Sequence, residues 1–136
     1  MTPSTAIQTP PMLMKAISLD PPWANMIVDG VKTIETRGWR TSYRGELLIC
    51  STRKRVVDHA GQVCHPRGCA VAIVNLADYR PMTTADEAEA GCKCYEGAYA
   101  WVLDNIRRIV PFPVRGKHRI FNIEVTRPLQ FMEAAS

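Results

Sequence analysis

Four residues between positions 32 and 39 have side chains suited to ligand binding or acid–base chemistry: Lys32, Glu35, Arg37 and Trp39. Side chains on a β-strand point alternately to its two faces, so Glu35, Arg37 and Trp39 are predicted to share one face. Lys32 follows the turn residue Gly30, before regular strand geometry begins, and we expect it to turn toward that same face. Two charges and an indole on one strand face are unusual for a core strand and indicate a site.

These residue types match the contacts that proteins make with nucleic acid. Lysine and arginine neutralise phosphate, and arginine also binds a phosphate or a base edge through two hydrogen bonds. Trp39, Tyr43 and Trp23 offer flat faces on which an unstacked base can rest. Glu35 fits beside a polyanion if it accepts a hydrogen bond from an exocyclic base amine, or if it holds the neighbouring cations in place. The sequence leaves both roles open.

The residues around this cluster predict a mixed α+β domain rich in short strands. The predicted strands cover residues 14–19, 31–39, 46–51, 69–78, 99–103, 107–112 and 120–125. The second and third of these are expected to pair like a hairpin, around the turn at Tyr43-Arg44-Gly45. Such an arrangement suggests a small β-barrel of about six strands with two or three short helices packed against it.

Proline, glycine and threonine residues mark the predicted helices. Pro21-Pro22 begins a first helix of about ten residues, which Gly30 ends. A second, short helix is capped by Thr83 or Thr84 and runs through Ala90, and residues 53–61 are weakly helical. The chain of 136 residues fits one domain over 13–130, with a flexible leader at 1–12 and a short tail at 131–136.

Charge is distributed unevenly along the chain. Residues 32–55 carry seven basic and two acidic side chains, and residues 107–119 carry five basic and no acidic ones. Residues 82–104 carry five acidic side chains and one basic one. If the two basic segments fold side by side, they form a positive surface with an acidic back, which would attract a polyanion to one side.

The apolar runs and the cysteines bear on location and metal binding. The longest apolar runs have the length of strands, so no membrane span is predicted. Five cysteines and no export signal favour free thiols in the cytoplasm. Cys64 and Cys69 have four residues between them, and Cys92 and Cys94 have one. These spacings do not suit structural zinc, so no metal and no cofactor are predicted.

The order of short motifs from Ser18 to Ser51 resembles the ASCH domain, a member of the PUA-like superfamily. The motifs are Ser18, Pro22-Trp23-Ala24, Gly30-Val31-Lys32, Glu35, Arg37, Trp39, Tyr43-Arg44-Gly45 and Leu47 to Ser51. Later segments are similar as well, at Gly68-Cys69, Tyr99 to Leu103 and Pro113 to Lys117 leading to Phe121. The resemblance covers roughly residues 14–126, and many short motifs in a fixed order are more specific than any one of them.

The resemblance implies a PUA-like β-barrel whose cleft, beside the first helix, faces nucleic acid, usually RNA. In that cleft Lys32, Glu35 and Arg37 are the implied lining. With the aromatic and basic residues above, the candidate ligand is RNA, another single-stranded nucleic acid, or a nucleoside or nucleotide. The candidate binding residues are Ser18, Lys32, Glu35, Arg37, Trp39, Tyr43, Arg44, Arg115, Lys117 and Arg119.

Two other classes of function are open. Some ASCH-like proteins are acetylcytidine amidohydrolases and others are described as ribonucleases, which implies an enzyme with Glu35 as base and Lys32 stabilising negative charge. The amidohydrolase branch, however, carries Thr where this chain has Glu35, which argues against that chemistry. The third class is an adaptor that binds protein partners through the same basic face.

Each candidate residue also has a purely structural interpretation. Lys32, Glu35 and Arg37 can form a surface ion-pair cluster, which is common and weakly stabilising. Trp23 and Trp101 are expected to pack in the core, whereas exposure and packing are equally expected of Trp39. His118 is either a solvated loop residue or a phosphate contact.

Overall fold

The structure, a computed structural model, describes residues 12–126 and 128–132. It contains six strands and two short α-helices, with a 3-10 helix at Thr84–Asp86 directly before the second α-helix. The predicted leader and tail lie largely outside the described residues: Met12 begins the first strand, and Phe131 forms an isolated bridge with Ile109. In chain order the elements are β1 (Met12–Leu19), α1 (Pro21–Val28), β2 (Ile34–Arg37), β3 (Gly45–Ser51), β4 (Cys69–Pro81), α2 (Glu87–Ala90), β5 (Tyr99–Pro113) and β6 (Phe121–Val125).

All six strands belong to one mixed sheet, in the order β2-β5-β4-β3-β1-β6. β1 and β3 run parallel, and the other neighbours are antiparallel. The α+β class is therefore confirmed. Closure into a barrel is not, because β2 and β6 are the two edges of the sheet and do not pair with each other.

The predicted hairpin between residues 31–39 and 46–51 is wrong. β2 pairs with β5, with Glu35 opposite Trp101, while β3 lies between β4 and β1. β2 also ends at Arg37, so Trp39 lies beyond the strand. The indole of Trp39 instead packs edge-on against Trp101, with ring centroids 4.7 Å apart. Packing against β5 thus draws this segment away from β3.

Two other predicted elements differ from the structure. Residues 53–61 are not helical, because the Asp58 carboxylate accepts hydrogen bonds from the backbone N–H groups of Ala60 and Gln62, which closes a turn. The two strands predicted at 99–103 and 107–112 are one continuous strand, β5. Asn105, between them, has a positive φ of 49°, and the register with β4 shifts at several points along this strand.

Helix α1 holds the cluster that begins at Lys32. It has eight residues rather than the ten expected, with two prolines at its start and Ala24 and Ile27 buried against the sheet. At its end the backbone N–H of Lys32 donates to the Met26 carbonyl at 3.0 Å, so the chain turns back over the last helical turn. Within the described residues, no helix has the length and apolar content needed to cross a bilayer.

The main core cluster contains Trp101, which is fully buried, together with the inner faces of α1, β1, β3 and β4. Packing of Trp101 is therefore confirmed. A second cluster lies on the other face of the sheet, around Leu48, Ile73 and Phe121. A third and much smaller cluster contains Ile34, Met82, Ala90, Ala98 and Ala100. This third cluster lies beneath the segment that joins β4 to β5.

An ion pair fixes the start of that segment. Both terminal nitrogens of Arg80 donate to the Asp86 carboxylate, at 2.7 and 2.8 Å, and the backbone N–H of Thr83 donates to it at 2.9 Å. These hydrogen bonds, those from Arg80 foremost, lower the pKa of Asp86 to about 2. The carboxylate thus holds the helical turn that leads to Ala90.

Asp86→Asn is expected to lower the free energy of unfolding at neutral pH by about 1–2 kcal/mol, because an amide replaces a charge-assisted acceptor. The pKa of Asp86 in the folded protein lies below its ordinary value of 3.8. The stabilisation by Asp86 is therefore complete above pH 3.8 and is lost as the pH falls toward about 2. Urea unfolding at several pH values should show the gap between wild type and variant closing over that range. Glu96→Gln, an exposed carboxylate, is the matched control, and a gap that stays constant would contradict this account.

Candidate functional site

A cleft of about 730 Å³ opens where the ends of β1 and β2 meet α1 and two loops, at 51–53 and 114–119. Its floor is polar, its walls include two exposed aromatic rings, and its rim is basic. The floor contains Ser18, Lys32, Glu35 and Arg37, the walls Trp23 and Tyr95, and the rim Arg53, Arg115, Lys117, His118 and Arg119. The structure therefore brings together seven of the ten candidate binding residues.

Lys32 is the most deeply buried of these residues, with 1% of its surface exposed. Its ammonium donates to the carbonyls of Ile34, at 2.6 Å, and of Ala90, and it lies 3.3 Å from Glu35 Oε1. All three N–H bonds of the ammonium thus have acceptors inside the protein. The expected contact from Lys32 to a ligand phosphate is not supported by this geometry; Lys32 instead joins α2 to β2 and anchors Glu35.

The carboxylate of Glu35 is likewise committed to the protein. Oε1 accepts from the backbone N–H of Thr36 at 3.1 Å and pairs with Lys32, while Oε2 accepts from Arg37 Nε at 2.9 Å and lies 2.7 Å from Arg37 Nη2. Because the carboxylate already interacts with four donors, it has little capacity left to accept a hydrogen bond from a base amine or to take a proton from a substrate. These contacts favour the orienting role of Glu35 over the amine-reading and general-base roles. The cluster is an ion-pair network, but a buried one rather than a surface one.

Arg37 is held in place and still has donors to spare. Nη2 donates to the Ser18 carbonyl at 3.1 Å in addition to its contact with Glu35. The second terminal nitrogen, Nη1, makes no hydrogen bond to any residue within the described ranges, and 22% of the side chain is exposed. Arg37 is therefore the cation of the floor that is oriented by the protein and available to a ligand.

The hydroxyl of Ser18 is a second floor group with unused hydrogen-bonding capacity. Its hydroxyl oxygen is buried and, among the described residues, has no hydrogen-bond partner. The backbone of Gly116 runs beside it, so that a Cβ added to Gly116 would lie 2.5 Å from Ser18 Oγ. A buried hydroxyl without a partner costs free energy unless something bonds to it.

Three candidate residues lie outside the cleft lining. Trp39 packs on Trp101, and the guanidinium of Arg119 stacks over its ring at 4.9 Å. The Tyr43 hydroxyl donates to the Glu46 carbonyl, and Arg44 stacks on Tyr79 at 4.7 Å. Trp39 and Tyr43 thus contribute to packing, and the expectation that Glu35, Arg37 and Trp39 share one strand face fails because β2 ends before Trp39.

Two aromatic wall residues are not among the ten candidate binding residues. Trp23 was expected in the core but is 39% exposed and lines the cleft. Its neighbour Ala24 takes the buried position on α1, so the helical period turns Trp23 away from the sheet. Tyr95 is 50% exposed and lies in the irregular segment before β5. No periodic pattern in that segment marks Tyr95, and only the fold shows where it lies.

Positive charge dominates the cleft. Both basic segments of the sequence reach it, the first through Lys32, Arg37 and Arg53, and the second through three residues of the 114–119 loop. The opposing carboxylates among its lining residues are Glu35 and Asp20, and Asp20 already accepts from Thr52 and pairs with Lys54. Arg107 lies elsewhere and pairs with Glu46 at 3.1 Å. The rim therefore presents cations that a polyanion can neutralise.

The cysteines lie in different environments. Burial raises the pKa of the Cys50 thiol to about 12, with a smaller contribution from Cys69, so Cys50 behaves as a core side chain. Cys92 lines the cleft and its thiol lies 3.3 Å from Thr36 Oγ1, while the Cys94 thiol points to the Met82 carbonyl. Among the described residues, no three His, Cys, Asp or Glu side chains are grouped so as to hold a metal ion.

Lys32→Met is expected to lower the free energy of unfolding by about 3–5 kcal/mol, because it leaves two buried carbonyls and Glu35 without their donor. Lys93→Met, which removes the same charge from an exposed position, is the matched control and should change stability by less than about 0.5 kcal/mol. Chemical denaturation measures both variants. If both variants change the free energy of unfolding equally, the contacts of the Lys32 ammonium do not stabilise the fold.

Comparison with known proteins adds a family assignment. The family model for the ASCH domain matches residues 17–113. The chain is 24% and 25% identical, over 127 residues, to the proteins named activating signal cointegrator 1 from Mus musculus and Homo sapiens. That match covers 79% of this chain and 22% of each relative, so the chain corresponds to about a fifth of their length.

Solved structures show the same fold. An ASCH protein from Zymomonas mobilis is 22% identical, with a TM-score of 0.57, and the match covers 74% of this chain and 73% of that one. A single-residue variant of the Zymomonas mobilis protein gives a TM-score of 0.52 over 78% of both chains. Because the family model spans more than half of the sequence, and the fold agrees with it, the chain belongs to the ASCH domain family.

Proposed function

We propose that this protein binds single-stranded RNA, or a nucleotide of it, in the cleft beside α1. The observation that carries the proposal is a basic rim around two exposed aromatic rings. The ASCH family is associated with RNA binding, which supports the same assignment. The mammalian relatives share only this region, so what their other regions do is not transferred to this chain.

Cations on the rim supply the part of the affinity that does not depend on sequence. Arg115 and Lys117 are exposed and form no ion pair with a carboxylate in the described part of the chain. Because their charges are not already neutralised, phosphates can displace counterions there at little cost in lost protein contacts. Arg37 extends the positive surface into the floor.

The aromatic walls favour single strands over duplexes. Trp23 and Tyr95 both expose large parts of their rings at the cleft. A base can stack on such a ring only after it has left its own helical stack, which is easiest in single-stranded RNA. An enzyme is less well supported, because the carboxylate of Glu35, the base expected of an enzyme here, already accepts from four donors of the protein.

We also propose a cytoplasmic location, because five free cysteines among the described residues are typical of a reducing compartment. RNA is then available as a partner.

Lys117→Ala and Arg115→Ala should each weaken binding of a short single-stranded RNA about equally for different sequences, and each should reduce the slope of log K against log salt by about one. Fluorescence anisotropy at several salt concentrations measures this. Lys93→Ala, an exposed lysine outside the cleft, is the control with the same change of charge and should keep both affinity and slope. If all three variants lose affinity equally, or wild type binds a protein partner but no RNA, the proposal fails.

Trp23→Ala and Tyr95→Ala should each weaken binding of single-stranded RNA by about 1–3 kcal/mol, with little change in any residual binding of duplex RNA. Phe131→Ala, which removes an exposed aromatic ring outside the cleft, should have no effect. The same anisotropy assay with single-stranded and duplex forms of one sequence measures the difference. An equal loss on both forms would mean that the rings do not stack on bases.

A further inference from the structure

We propose that the floor of the cleft is a subsite for a phosphate monoester, so that the protein prefers RNA ends, or nucleotides, that carry a terminal phosphate. Arg37 Nη1 and the Ser18 hydroxyl are the groups that bind it. The inference rests on the proposed function and adds to it the chemical group that occupies the deepest part of the site.

The floor offers donors whose positions are already fixed. Arg37 Nε and Nη2 are held by Glu35 and by the Ser18 carbonyl, which leaves Nη1 in a defined orientation. The carbonyl contact also makes Ser18 a direct neighbour of the guanidinium. The Ser18 hydroxyl is buried, has no partner among the described residues, and belongs to the residue whose carbonyl accepts from Arg37.

The charge of the floor favours an anion. Lys32 and Arg37 together carry two positive charges, and Glu35 carries one negative charge, so the network has one positive charge in excess. Lys32 and Glu35 are shielded from water, which reduces the screening of that charge. A phosphate monoester carries about −1.5 to −2 charges at pH 7, and an internal phosphodiester carries about −1, so the monoester gains more.

An exocyclic base amine is a poorer occupant of the same place. An exocyclic amine needs an acceptor, and both oxygens of Glu35 already accept from the protein. The carbonyl of Ser18 is used by Arg37 as well. Phosphate oxygens only accept hydrogen bonds, which matches a floor whose free groups are a guanidinium nitrogen and a hydroxyl.

The backbone of Gly116 lies directly against the Ser18 side chain. A Cβ there would lie 2.5 Å from Ser18 Oγ and 3.3 Å from Ser18 Cβ, closer than side-chain atoms approach without displacement. The φ of Gly116 lies outside the left-handed region, so an alanine at this position is not strained by its backbone. Gly116→Ala therefore crowds the Ser18 hydroxyl, and the Ser18 side chain or the loop must shift to make room.

The test compares one RNA hexamer with a 5′-phosphate, with a 3′-phosphate, and with hydroxyls at both ends. Wild type should bind one phosphorylated form at least about tenfold more tightly than the hydroxyl form. Ser18→Ala and Gly116→Ala should each lose most of that preference, because each weakens binding of the phosphorylated form more than binding of the hydroxyl form. Ser42→Ala, an exposed serine outside the cleft, is the matched control and should keep the preference.

Stability measurements separate loss of the subsite from loss of the fold. Ser18→Ala removes a hydroxyl that bonds to no described residue, so its urea midpoint should not fall below that of wild type. Inorganic phosphate and a nucleoside 5′-monophosphate serve as competitors: displacement of the phosphorylated hexamer by both identifies the phosphate group itself as the bound chemistry. If only the nucleotide displaces the hexamer, and Ser18→Ala still abolishes the preference for the phosphorylated form, the same subsite is supported. The nucleoside then contributes to the affinity of the nucleotide.

Equal affinity of wild type for all three hexamers would overturn the phosphate subsite while leaving RNA binding in the cleft intact. No binding of any hexamer would overturn the proposed function instead. Retention of the preference in both Ser18→Ala and Gly116→Ala would place the phosphate on the rim and would also contradict the subsite.

Discussion

The buried ammonium of Lys32 is the interaction on which the cleft depends. It joins the end of α2 to β2 through the Ala90 and Ile34 carbonyls, and it fixes one oxygen of Glu35. Glu35 in turn fixes Arg37. A charge buried without these partners would be strongly unfavourable, so the same contacts that stabilise the fold also define the floor of the site.

The charges of the cleft fall into two groups with different tasks. Lys32, Glu35 and most of Arg37 are satisfied within the protein, so they give the floor its shape and a small excess of positive charge. The rim cations on the 114–119 loop are exposed, so their interaction with a ligand is screened by salt and is not tied to one geometry. The floor therefore has a fixed geometry, and the rim adds exposed positive charge.

The sequence predicted the grouping of Lys32 with Glu35 and Arg37 and the packing of Trp101, because both follow from local patterns. The burial of Lys32 was not predictable, since one of its acceptors is the carbonyl of Ala90, which is 58 residues away. Trp23 was expected in the core and is exposed, and Trp39, for which exposure and packing were equally expected, packs on Trp101. Packing on β5 depends on how the strands pair, which local patterns do not specify. The order of the strands depends on contacts between residues that are far apart in the sequence, whereas a hairpin pairs two strands that are neighbours in the sequence.

The third core cluster carries a consequence for motion. It contains five buried residues, three of them alanine, whereas the main cluster contains twelve, so few large apolar side chains hold the segment from Met82 to Ala98. Segments of this kind open locally before a domain unfolds as a whole. Because the Ala90 carbonyl belongs to that segment, each such opening would release the ammonium of Lys32 and loosen the floor, so the order of the cleft depends on how firmly this segment is held.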